Sequence, residues 1–483
     1  MLSPEQLAAL RHAAGESFLS IEHATLWAYG MDNSRRHALP DAVIFAHSHE
    51  QVQAVVRVCH AQRIPLTARG RGTGTTGATV PIHGGVVLSF ERMKRVLEVN
   101  PDDRLIVVEP GVTNAEVQQA VRAHGFFWPP DPTSSAFCSV GGNLAYNSAG
   151  PRAVKYGTVR DNVLGLRAIS GDGREFRCGT RTTKGVVGYD LTRLLIGSEG
   201  TLGIITEATL KLTPLPEAIR TARALFTDMQ SAAQAIARLM AQPVTPCALE
   251  FIDGAAMDMI RGHTAADLPP HARAMLMIEV DGSAACLDAA LASVRRAAEV
   301  EGLLEWREAQ DQDEVDTLWA TRKALSPALR KIAPKKINED VVVPVSCIPE
   351  LIGALGNLSR QHDIPIINFG HAGNGNIHVN LLLDPDAPGA WERAHACLDE
   401  VFAKVLALGG TLSGEHGVGL EKRDFIEREL GENAIDMMRG IKQAFDPHGI
   451  LNADKTLPLK GIEFHPAQDR DLADSHCLQG ISE

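Results

Sequence analysis

The first 214 residues alternate short apolar segments with helical stripes, a pattern that predicts an α/β region. The run AVIF (42–45) predicts a strand. Ser48, followed three residues later by Gln51, has capping-box spacing and predicts that a helix begins there. Apolar residues then recur at i, i+3, i+4 and i+7 as one buried stripe, at Val52, Val55, Val56 and Cys59. Further elements are predicted as strands at 64–68, 85–89 and 104–111 and as a helix from near Asn114.

A proline-marked boundary at LTPLP (212–216) separates this region from one with longer helical patterns. There the sequence predicts helices around 228–241, 287–301, 348–361 and 390–408, and strands at 274–282, 341–345 and 366–368. That arrangement is typical of a sheet covered by helices, and the fold class that the whole pattern indicates is α+β. From about residue 411 the chain is rich in glycine, forms a predicted helix at 434–445 and ends in a polar tail at 458–483.

Composition narrows the function classes. The 483 residues are enough for two or three domains, and a net charge of −12 argues against nucleic acid as the main partner. Eight scattered cysteines without a Cys-X-X-Cys pair exclude cysteine-ligated zinc and iron–sulfur sites at their usual spacings. They also indicate reduced thiols and a cytoplasmic location. No apolar run approaches 18 residues, so we expect no transmembrane segment, while peripheral contact with a membrane is left open.

The loop RGRGTGTTGA (69–78) matches G-x-G-x-x-G at Gly72, Gly74 and Gly77. A dinucleotide fingerprint must open a helix, but Pro81 and a Gly-Gly pair follow here, which excludes an NAD site. Successive backbone N–H groups in such a loop can still bind an anion, with a flexible surface hairpin as the alternative. Two further segments rich in small residues, 129–165 and 196–214, favour a long phosphate-bearing ligand over that alternative.

Two histidines bracket the run GHAGNGNIH (370–378). Its Asn-Gly step predicts a tight turn, so His371 and His378 are expected to face each other across a hairpin. Two neutral imidazoles at that separation suit a divalent metal, and Glu415 in SGEHG would complete a set of two histidines and one carboxylate. Zinc is favoured, with Mn²⁺ or Fe²⁺ as alternatives. For each histidine alone, a hydrogen-bonded core role is the competing interpretation.

Five motifs, at 69–78, 131–150, 197–212, 370–378 and 413–419, occur in an order that closely resembles one protein family. The chain resembles the FAD-linked 2-hydroxy acid dehydrogenases of the vanillyl-alcohol oxidase type flavoprotein fold. These include D-lactate dehydrogenases, D-2-hydroxyglutarate dehydrogenases and the FAD subunit of glycolate oxidase. The resemblance spans roughly residues 40–456. It implies an FAD-binding domain at 1–214, a substrate-capping α+β domain at 215–410, and a return to the FAD domain at 411–457 that carries active-site residues.

The resemblance also implies the cofactor-binding residues. They are Arg69, Gly70, Arg71, Gly72, Thr73, Gly74, Thr75, Gly77, Pro110, Thr133, Ser134, Gly141, Gly142, Asn143, Ser148, Gly200, Gly203 and Ile205. Members that tether FAD covalently place a histidine in the first glycine loop, and this loop has none, so we expect non-covalent FAD. Cys138 lies near the cofactor segment, where a small buried role is favoured over a flavin thioether.

The family's reaction assigns roles to the remaining candidates. Metal-dependent members carry the set His371, His378 and Glu415, use the histidine at the position of His416 as the base, and point to Arg322 as the clamp for the substrate carboxylate. The competing interpretations are a hydrogen-bonding partner for His416 and a solvated helix face for Arg322. The D-2-hydroxyglutarate branch has a lysine where this chain has Asn338, which favours D-lactate.

The expected activity is therefore oxidation of a D-2-hydroxy acid to the 2-oxo acid by hydride transfer to flavin N5. The alternative is a D-2-hydroxyglutarate dehydrogenase, or a glycolate oxidase FAD subunit that needs partner proteins. The electron acceptor is left open among a cytochrome, a quinone and an electron-transfer flavoprotein. A homodimer is one oligomeric state that the sequence allows.

Overall fold

The computed structural model describes residues 1–261 and 267–459. They form two compact units. Unit 1 contains Met1–Ala149, Gly157–Leu215 and the described residues from Glu415 onward, and unit 2 contains Gly150–Tyr156 and Pro216–Gly414. The predicted tail at 458–483 lies, from residue 460 on, outside the described residues. None of the described helices combines the length and the apolar character that crossing a membrane requires.

The elements are numbered in chain order. The strands are β1 Leu19–Ser20, β2 Ala42–Phe45, β3 Leu66–Arg69, β4 Val86–Ser89, β5 Val96–Asn100, β6 Leu105–Val108, β7 Phe126–Phe127, β8 Val163–Ile169, β9 Glu175–Gly179, β10 Ile204–Lys211, β11 Thr213–Pro214, β12 Ala218–Phe226, β13 Ala248–Asp253, β14 Ala274–Gly282, β15 Leu303–Glu308, β16 Lys335–Val342, β17 Ile366–His371 and β18 Asn376–Leu383.

The helices are α1 Pro4–Ala14, α2 His23–Tyr29, α3 His49–Gln62, α4 Asn114–Arg122, α5 Val140–Tyr146, α6 Ala153–Tyr156, α7 Leu191–Leu195, α8 Met229–Ala241, α9 Gly254–Ile260, α10 Leu287–Ala298, α11 Gln312–Ile332, α12 Ile348–His362, α13 Ala390–Ala407, α14 Ile426–Leu430 and α15 Glu432–Phe445. Short 3₁₀ helices occur at Glu16–Phe18, Val159–Asp161, Ala284–Cys286, Val345–Cys347 and Ala372–Asn374.

Unit 1 contains a four-stranded sheet in the order β1-β2-β4-β3 and a five-stranded antiparallel sheet in the order β5-β6-β10-β8-β9. The stripe predicted on α3 is confirmed, because its four apolar residues are fully buried. Ser48 is the N-cap of α3 and accepts the N–H of Gln51 at 3.2 Å, whereas the Gln51 side chain accepts from His47 instead of completing the box. Residues 70–85, between β3 and β4, contain no helix, which confirms that the glycine loop is not a dinucleotide fingerprint.

The C-terminal return closes the four-stranded sheet of unit 1. The Leu66 N–H donates to the Ile450 carbonyl at 2.8 Å, and the Asn452 N–H donates back to the Leu66 carbonyl at 2.9 Å. The Asn452 side chain donates to the carbonyls of Ala78 and Glu199 at 2.8 and 2.6 Å. Unit 1 is therefore built from distant stretches of chain that buried backbone hydrogen bonds hold together.

Unit 2 is built on one antiparallel sheet of seven strands in the order β15-β12-β14-β13-β17-β18-β16. The helices predicted there are present as α8, α10, α12 and α13, and the α+β class is confirmed. The strand predicted at 341–345 is wrong in position. It runs earlier, as β16, and ends before Pro344, because proline has no N–H to donate to a sheet ladder.

The short segment Gly150–Tyr156 groups with unit 2, which the sequence pattern did not indicate. The Tyr156 hydroxyl donates to Oδ2 of Asp281 at 2.6 Å, and the Lys155 ammonium donates to the Asp281 carbonyl at 3.0 Å. The divisions between the units fall after Leu215 and Gly414, against predicted boundaries after 214 and 410.

Candidate active site

Unit 1 contains a cleft of about 630 Å³, part of which is open to solvent. Eight of the predicted cofactor-binding residues line it: Arg69, Gly70, Pro110, Gly141, Gly142, Gly200, Gly203 and Ile205. Glycine, alanine and serine are frequent in this lining, so backbone is exposed along parts of the wall. A backbone wall presents N–H and C=O groups to a ligand and lets it approach closely.

The other predicted cofactor-binding residues lie outside this lining. They are Arg71, Gly72, Thr73, Gly74, Thr75, Gly77, Thr133, Ser134, Asn143 and Ser148. Arg71 and Thr133 are exposed, whereas Asn143 is buried and donates to the Ser148 hydroxyl at 3.1 Å. The roles of these residues toward a cofactor stay predictions.

The Arg69 side chain packs against the glycine loop at Gly72. Its Nη1 donates to the Met31 carbonyl at 2.5 Å, and burial lowers the pKa of its guanidinium. Gly72 adopts φ +67°, and a Cβ there would collide with the Arg69 guanidinium. The loop therefore needs glycine at this position both for its backbone conformation and for contact with Arg69.

The segment that carries His416 is anchored to the wall of the same cleft. Glu199, which lines the cleft, accepts the N–H groups of Val418 at 2.5 Å and of Gly419 at 2.8 Å. Burial raises the pKa of Glu199, and the two N–H donors act in the opposite direction. Thr76 donates its hydroxyl to the His416 carbonyl at 3.4 Å. Within unit 1, the backbone at His416 and the two residues after Gly417 is thus held beside this cleft.

In unit 2, four polar side chains lie on four adjacent strands, with the two histidines offset by two positions between β17 and β18. Glu250 on β13 is opposite His371 on β17, and His378 on β18 is opposite Asp340 on β16. All four are buried. We call this set, Glu250, His371, His378 and Asp340, the polar row. Side chains directly opposite each other in a ladder share a face of the sheet, and so do those two positions apart, which places the row on one face.

The two histidines of the polar row face each other across a hairpin, as the sequence predicts. The chain reverses at Ala372–Asn374, and Gly375 takes φ +73°. The His371 and His378 rings lie 5.2 Å apart between centroids, at 84° to each other. Their nearest potential ligand atoms lie within 4.8 Å, a separation that one divalent ion can span.

Arg322 is buried rather than solvated, so the alternative of a solvated helix face is wrong for this residue. Its Nε donates to Oε2 of Glu250 at 2.7 Å, and its guanidinium stacks 4.8 Å from the centre of the Phe369 ring. The other Glu250 oxygen, Oε1, lies 2.5 Å from Nδ1 of His371. Burial acts to raise the pKa of Glu250, but His371 and Arg322 outweigh it and the pKa lies below its ordinary value.

The predicted third metal ligand, Glu415, directly follows Gly414. The Gly414 N–H donates to Oδ2 of Asp340 at 3.0 Å, and its Cα faces the Asn376 side chain so closely that a Cβ would collide. Consecutive Cα atoms are about 3.8 Å apart. The chain therefore attaches Glu415 directly to a residue that is hydrogen-bonded beside the polar row.

Sequence reasoning missed Glu250 and Glu199. Glu250 is the one charged residue in the otherwise apolar run CALEFI (247–252), and a carboxylate in such a run must be paired if the strand is buried. That signal was available, although it does not identify the partners. Glu199 adopts φ +53° between two glycines of the GSEG turn, and only the fold shows that it accepts backbone N–H groups more than 200 residues away.

Two family models and several known proteins match this chain. Residues 215–456 match the family model described as FAD linked oxidases, C-terminal domain, and residues 40–179 match the FAD binding domain. The chain is 36% identical to the glycolate oxidase subunit GlcD of Bacillus subtilis, covering 94% of this chain and 97% of that protein.

Two further relatives are named as dehydrogenases. A probable mitochondrial D-lactate dehydrogenase of Danio rerio is 33% identical, covering 94% of this chain and 92% of the relative. A D-2-hydroxyglutarate dehydrogenase of Stutzerimonas stutzeri is 33% identical, covering 89% and 94%.

Among solved structures, p-cresol methylhydroxylase superposes with a TM-score of 0.77 at 17% identity, covering 95% of this chain and 98% of that one. At that identity the likeness concerns the fold alone. Together with the two family matches, it confirms the predicted flavoprotein fold of the vanillyl-alcohol oxidase type.

Proposed function

The chain belongs to the FAD-linked oxidase family, and on that premise we propose that it is an FAD-dependent dehydrogenase that oxidises a D-2-hydroxy acid to the 2-oxo acid, with D-lactate favoured. The observation that carries the proposal is the buried pair His371 and His378 beside the Arg322–Glu250 ion pair. A 2-hydroxy acid offers a hydroxyl and a carboxylate on neighbouring carbons, and these groups suit a metal ion and a guanidinium.

The cleft of unit 1 fits FAD because its wall is mostly backbone and small side chains. When bound, FAD supplies the acceptor for the substrate hydride. Gly70, Gly141 and Gly200 are the wall residues that we expect to lie against it. Cys138 is buried, and burial raises the pKa of its thiol, which supports non-covalent binding over a flavin thioether.

The donor set of unit 2 fits a divalent metal. Nδ1 of His371 faces Glu250, so the neutral ring presents Nε2 as its ligand atom, and His378 supplies the second imidazole. Glu415 is the proposed third ligand, and zinc is favoured over Mn²⁺ or Fe²⁺. Such an ion supplies a Lewis acid that lowers the pKa of the substrate hydroxyl.

The remaining steps belong to side chains. Arg322 uses Nε for Glu250, so Nη1 and Nη2 are the atoms we assign to the substrate carboxylate. His416 accepts the hydroxyl proton on a ring nitrogen as the C2 hydrogen leaves with its electron pair. Phe369 packs against the guanidinium and limits its motion, so the carboxylate is held in one orientation.

We base the proposed substrate preference on Asn338. It lies on β16 opposite Asn380, two residues before Asp340 of the polar row. A neutral amide at this position offers no cation for a second carboxylate, which favours D-lactate over D-2-hydroxyglutarate.

A second candidate is the FAD subunit of a larger assembly, because one relative is named as a glycolate oxidase subunit. In either case the reduced flavin needs an acceptor, for which a cytochrome, a quinone or an electron-transfer flavoprotein is suitable. A homodimer is compatible with both candidates.

Anaerobic bleaching of the flavin absorbance tests the proposal. D-lactate, L-lactate, glycolate and D-2-hydroxyglutarate are added separately, before and after EDTA. We expect D-lactate to bleach the flavin, EDTA to abolish bleaching and Zn²⁺ to restore it. A flavoprotein that none of these acids reduces would overturn the substrate class, and activity regained only with a cell fraction would favour the subunit.

A further inference from the structure

Glu250 touches two of the residues assigned above to different tasks. Its Oε1 contacts Nδ1 of His371, the proposed metal ligand, and its Oε2 accepts from Nε of Arg322, the proposed carboxylate clamp. Both contacts are short, at 2.5 and 2.7 Å, and each carboxylate oxygen serves one partner. The two proposed functions therefore meet at a single buried carboxylate.

We propose that Glu250 is a positioning residue that holds the metal ligand His371 and the substrate clamp Arg322 as one hydrogen-bonded unit. This inference rests on the proposed function. Its consequence is that metal affinity and substrate affinity both depend on a side chain that contacts neither the metal nor the substrate.

The backbone fixes the position of the carboxylate. Glu250 is directly opposite His371 in the antiparallel ladder of β13 and β17, and β13 is itself held by β14 on its other side. A residue in the interior of a seven-stranded sheet has little backbone freedom. The carboxylate is therefore presented to the imidazole from a rigid element, as a preorganised site requires.

The contact with His371 sets the chemistry of the ring. A carboxylate at Nδ1 accepts the proton of that nitrogen, fixes the tautomer and leaves the Nε2 lone pair for a metal. The same contact orients the ring plane. Outer partners of this kind are worth about 10- to 100-fold in metal affinity in other metal sites.

The contact with Arg322 explains how a guanidinium can be held in a buried position. One face of the guanidinium packs on Phe369, and Nε is bound to Glu250, so rotation about the last side-chain bonds is blocked. Without Glu250 the buried cation would lose its counter-charge and turn toward other acceptors. The fork that faces the substrate carboxylate would then lose its orientation.

The matched control is Glu279 on β14. It is a second buried carboxylate of the same sheet, opposite Ala248, two residues before Glu250. Its Oε1 accepts from the Thr221 hydroxyl and the Trp319 indole, both at 2.8 Å, and these residues have no assigned role in metal or substrate binding. Glu279→Gln therefore reports the cost of neutralising a buried carboxylate in this sheet.

The experiment compares the purified flavoprotein with Glu250→Gln, Glu250→Asp and Glu279→Gln. The Zn²⁺ dissociation constant is measured by competition with a chelator, without substrate, and KM and kcat for D-lactate are measured at saturating Zn²⁺. We expect Glu250→Gln to weaken Zn²⁺ binding by about 10- to 100-fold and to raise KM, whereas Glu279→Gln changes both by less than about threefold.

Glu250→Asp keeps the charge but is one methylene shorter, so it reaches only one partner well, and an intermediate loss is expected. It also serves as the test if Glu250→Gln does not fold. Equal Zn²⁺ affinity in the Glu250 and Glu279 variants would overturn the positioning role while leaving the proposed function intact. Wild-type protein that binds no Zn²⁺ and ignores EDTA would overturn both the proposed metal and this inference.

Discussion

The cleft of unit 1 and the polar row of unit 2 are built from different chemical groups. The cleft presents backbone and small residues, with glycines contributed by three separate stretches of sequence. The polar row presents charged and aromatic side chains that strand register places next to one another. The cleft is shaped by the absence of large side chains at its glycines, whereas the polar row is formed by the side chains themselves.

This difference predicts opposite sensitivities. A site built from side chains is damaged when an atom is removed, because its buried partners lose their hydrogen bonds. A site built from backbone is damaged when an atom is added, because the close approach of ligand and chain is blocked. Substitutions that remove groups in unit 2 and add them in unit 1 therefore test the comparison directly.

The largest effect is expected for His378→Ala. Losing one imidazole of the pair should lower D-lactate turnover by at least about 10³-fold, or about 4 kcal/mol of barrier, because the Lewis acid is no longer held. The FAD content, measured from the flavin absorbance, should stay unchanged. His362→Ala, on α12 beside Glu400, is the control. Turnover close to wild type in His378→Ala would contradict the metal site.

His416→Ala comes next. Removing the base should lower kcat by about 10² to 10³-fold, with KM for D-lactate nearly unchanged, because the histidine acts on the proton rather than on binding. The measurement is steady-state kinetics at saturating Zn²⁺. His83→Ala, at a surface histidine beside Asp454, is the control. A loss smaller than about threefold would assign proton removal to another group.

In unit 1 the corresponding test adds an atom, as in Gly141→Ala. A Cβ at Gly141 would lie 2.7 Å from Cβ of Pro110, so both must shift, and both line the cleft. We expect FAD affinity to fall by about tenfold, since overpacking costs about 1 to 3 kcal/mol. Zn²⁺ affinity should not change. Gly440→Ala on α15, where a Cβ meets nothing within 4 Å, is the control and should leave FAD binding intact. Unchanged FAD affinity in Gly141→Ala would break the comparison.

The smallest expected effect is on stability, and it comes from the buried charge of Lys455 in unit 1. Glu250 is in contact with the Arg322 guanidinium and with Nδ1 of His371. Lys455 of unit 1 instead donates to the Ala78 carbonyl and the Asn452 amide oxygen, and burial lowers its pKa to about 7. The unfolded pKa is about 10.4, so between these values the unfolded chain binds more protons. Stability should therefore rise with pH from about 7 to about 10.

Lys455→Met should flatten that rise. The difference in the free energy of unfolding between wild type and variant should grow by on the order of 1 to 2 kcal/mol between about pH 7 and pH 9. Urea unfolding at several pH values measures it. Lys404→Met, at a more exposed lysine beside Glu350, is the control. A difference independent of pH would show that Lys455 is charged throughout this range.

The comparison also explains what could be predicted from the sequence. Glycine loops are visible as composition, so the three stretches that line the cleft were found without a structure. The turn that brings His371 and His378 together is local, and its Asn-Gly signal was sufficient. The stripe on α3 was found for the same reason, because helical periodicity is a short-range pattern.

The residues that were missed depend on long-range pairing. Glu250 reaches His371 across 121 residues and Arg322 across 72. No local pattern fixes which strands become neighbours, so the partners of a lone buried carboxylate cannot be read from its own segment. The same holds for Glu199, whose partners lie on the far C-terminal return. The position of β16 was misjudged because Pro344 was included in the strand.

The closure of unit 1 by its C-terminal return has a consequence for the chain during synthesis. Unit 2 is nearly continuous, so most of its sheet can form as soon as residue 414 has left the ribosome. The Asn452 side chain instead bonds to Ala78, 374 residues upstream. At about 10 residues per second, the early strands wait roughly 40 s for that partner. During this interval the backbone N–H and C=O of Leu66 also lack their partners, Ile450 and Asn452.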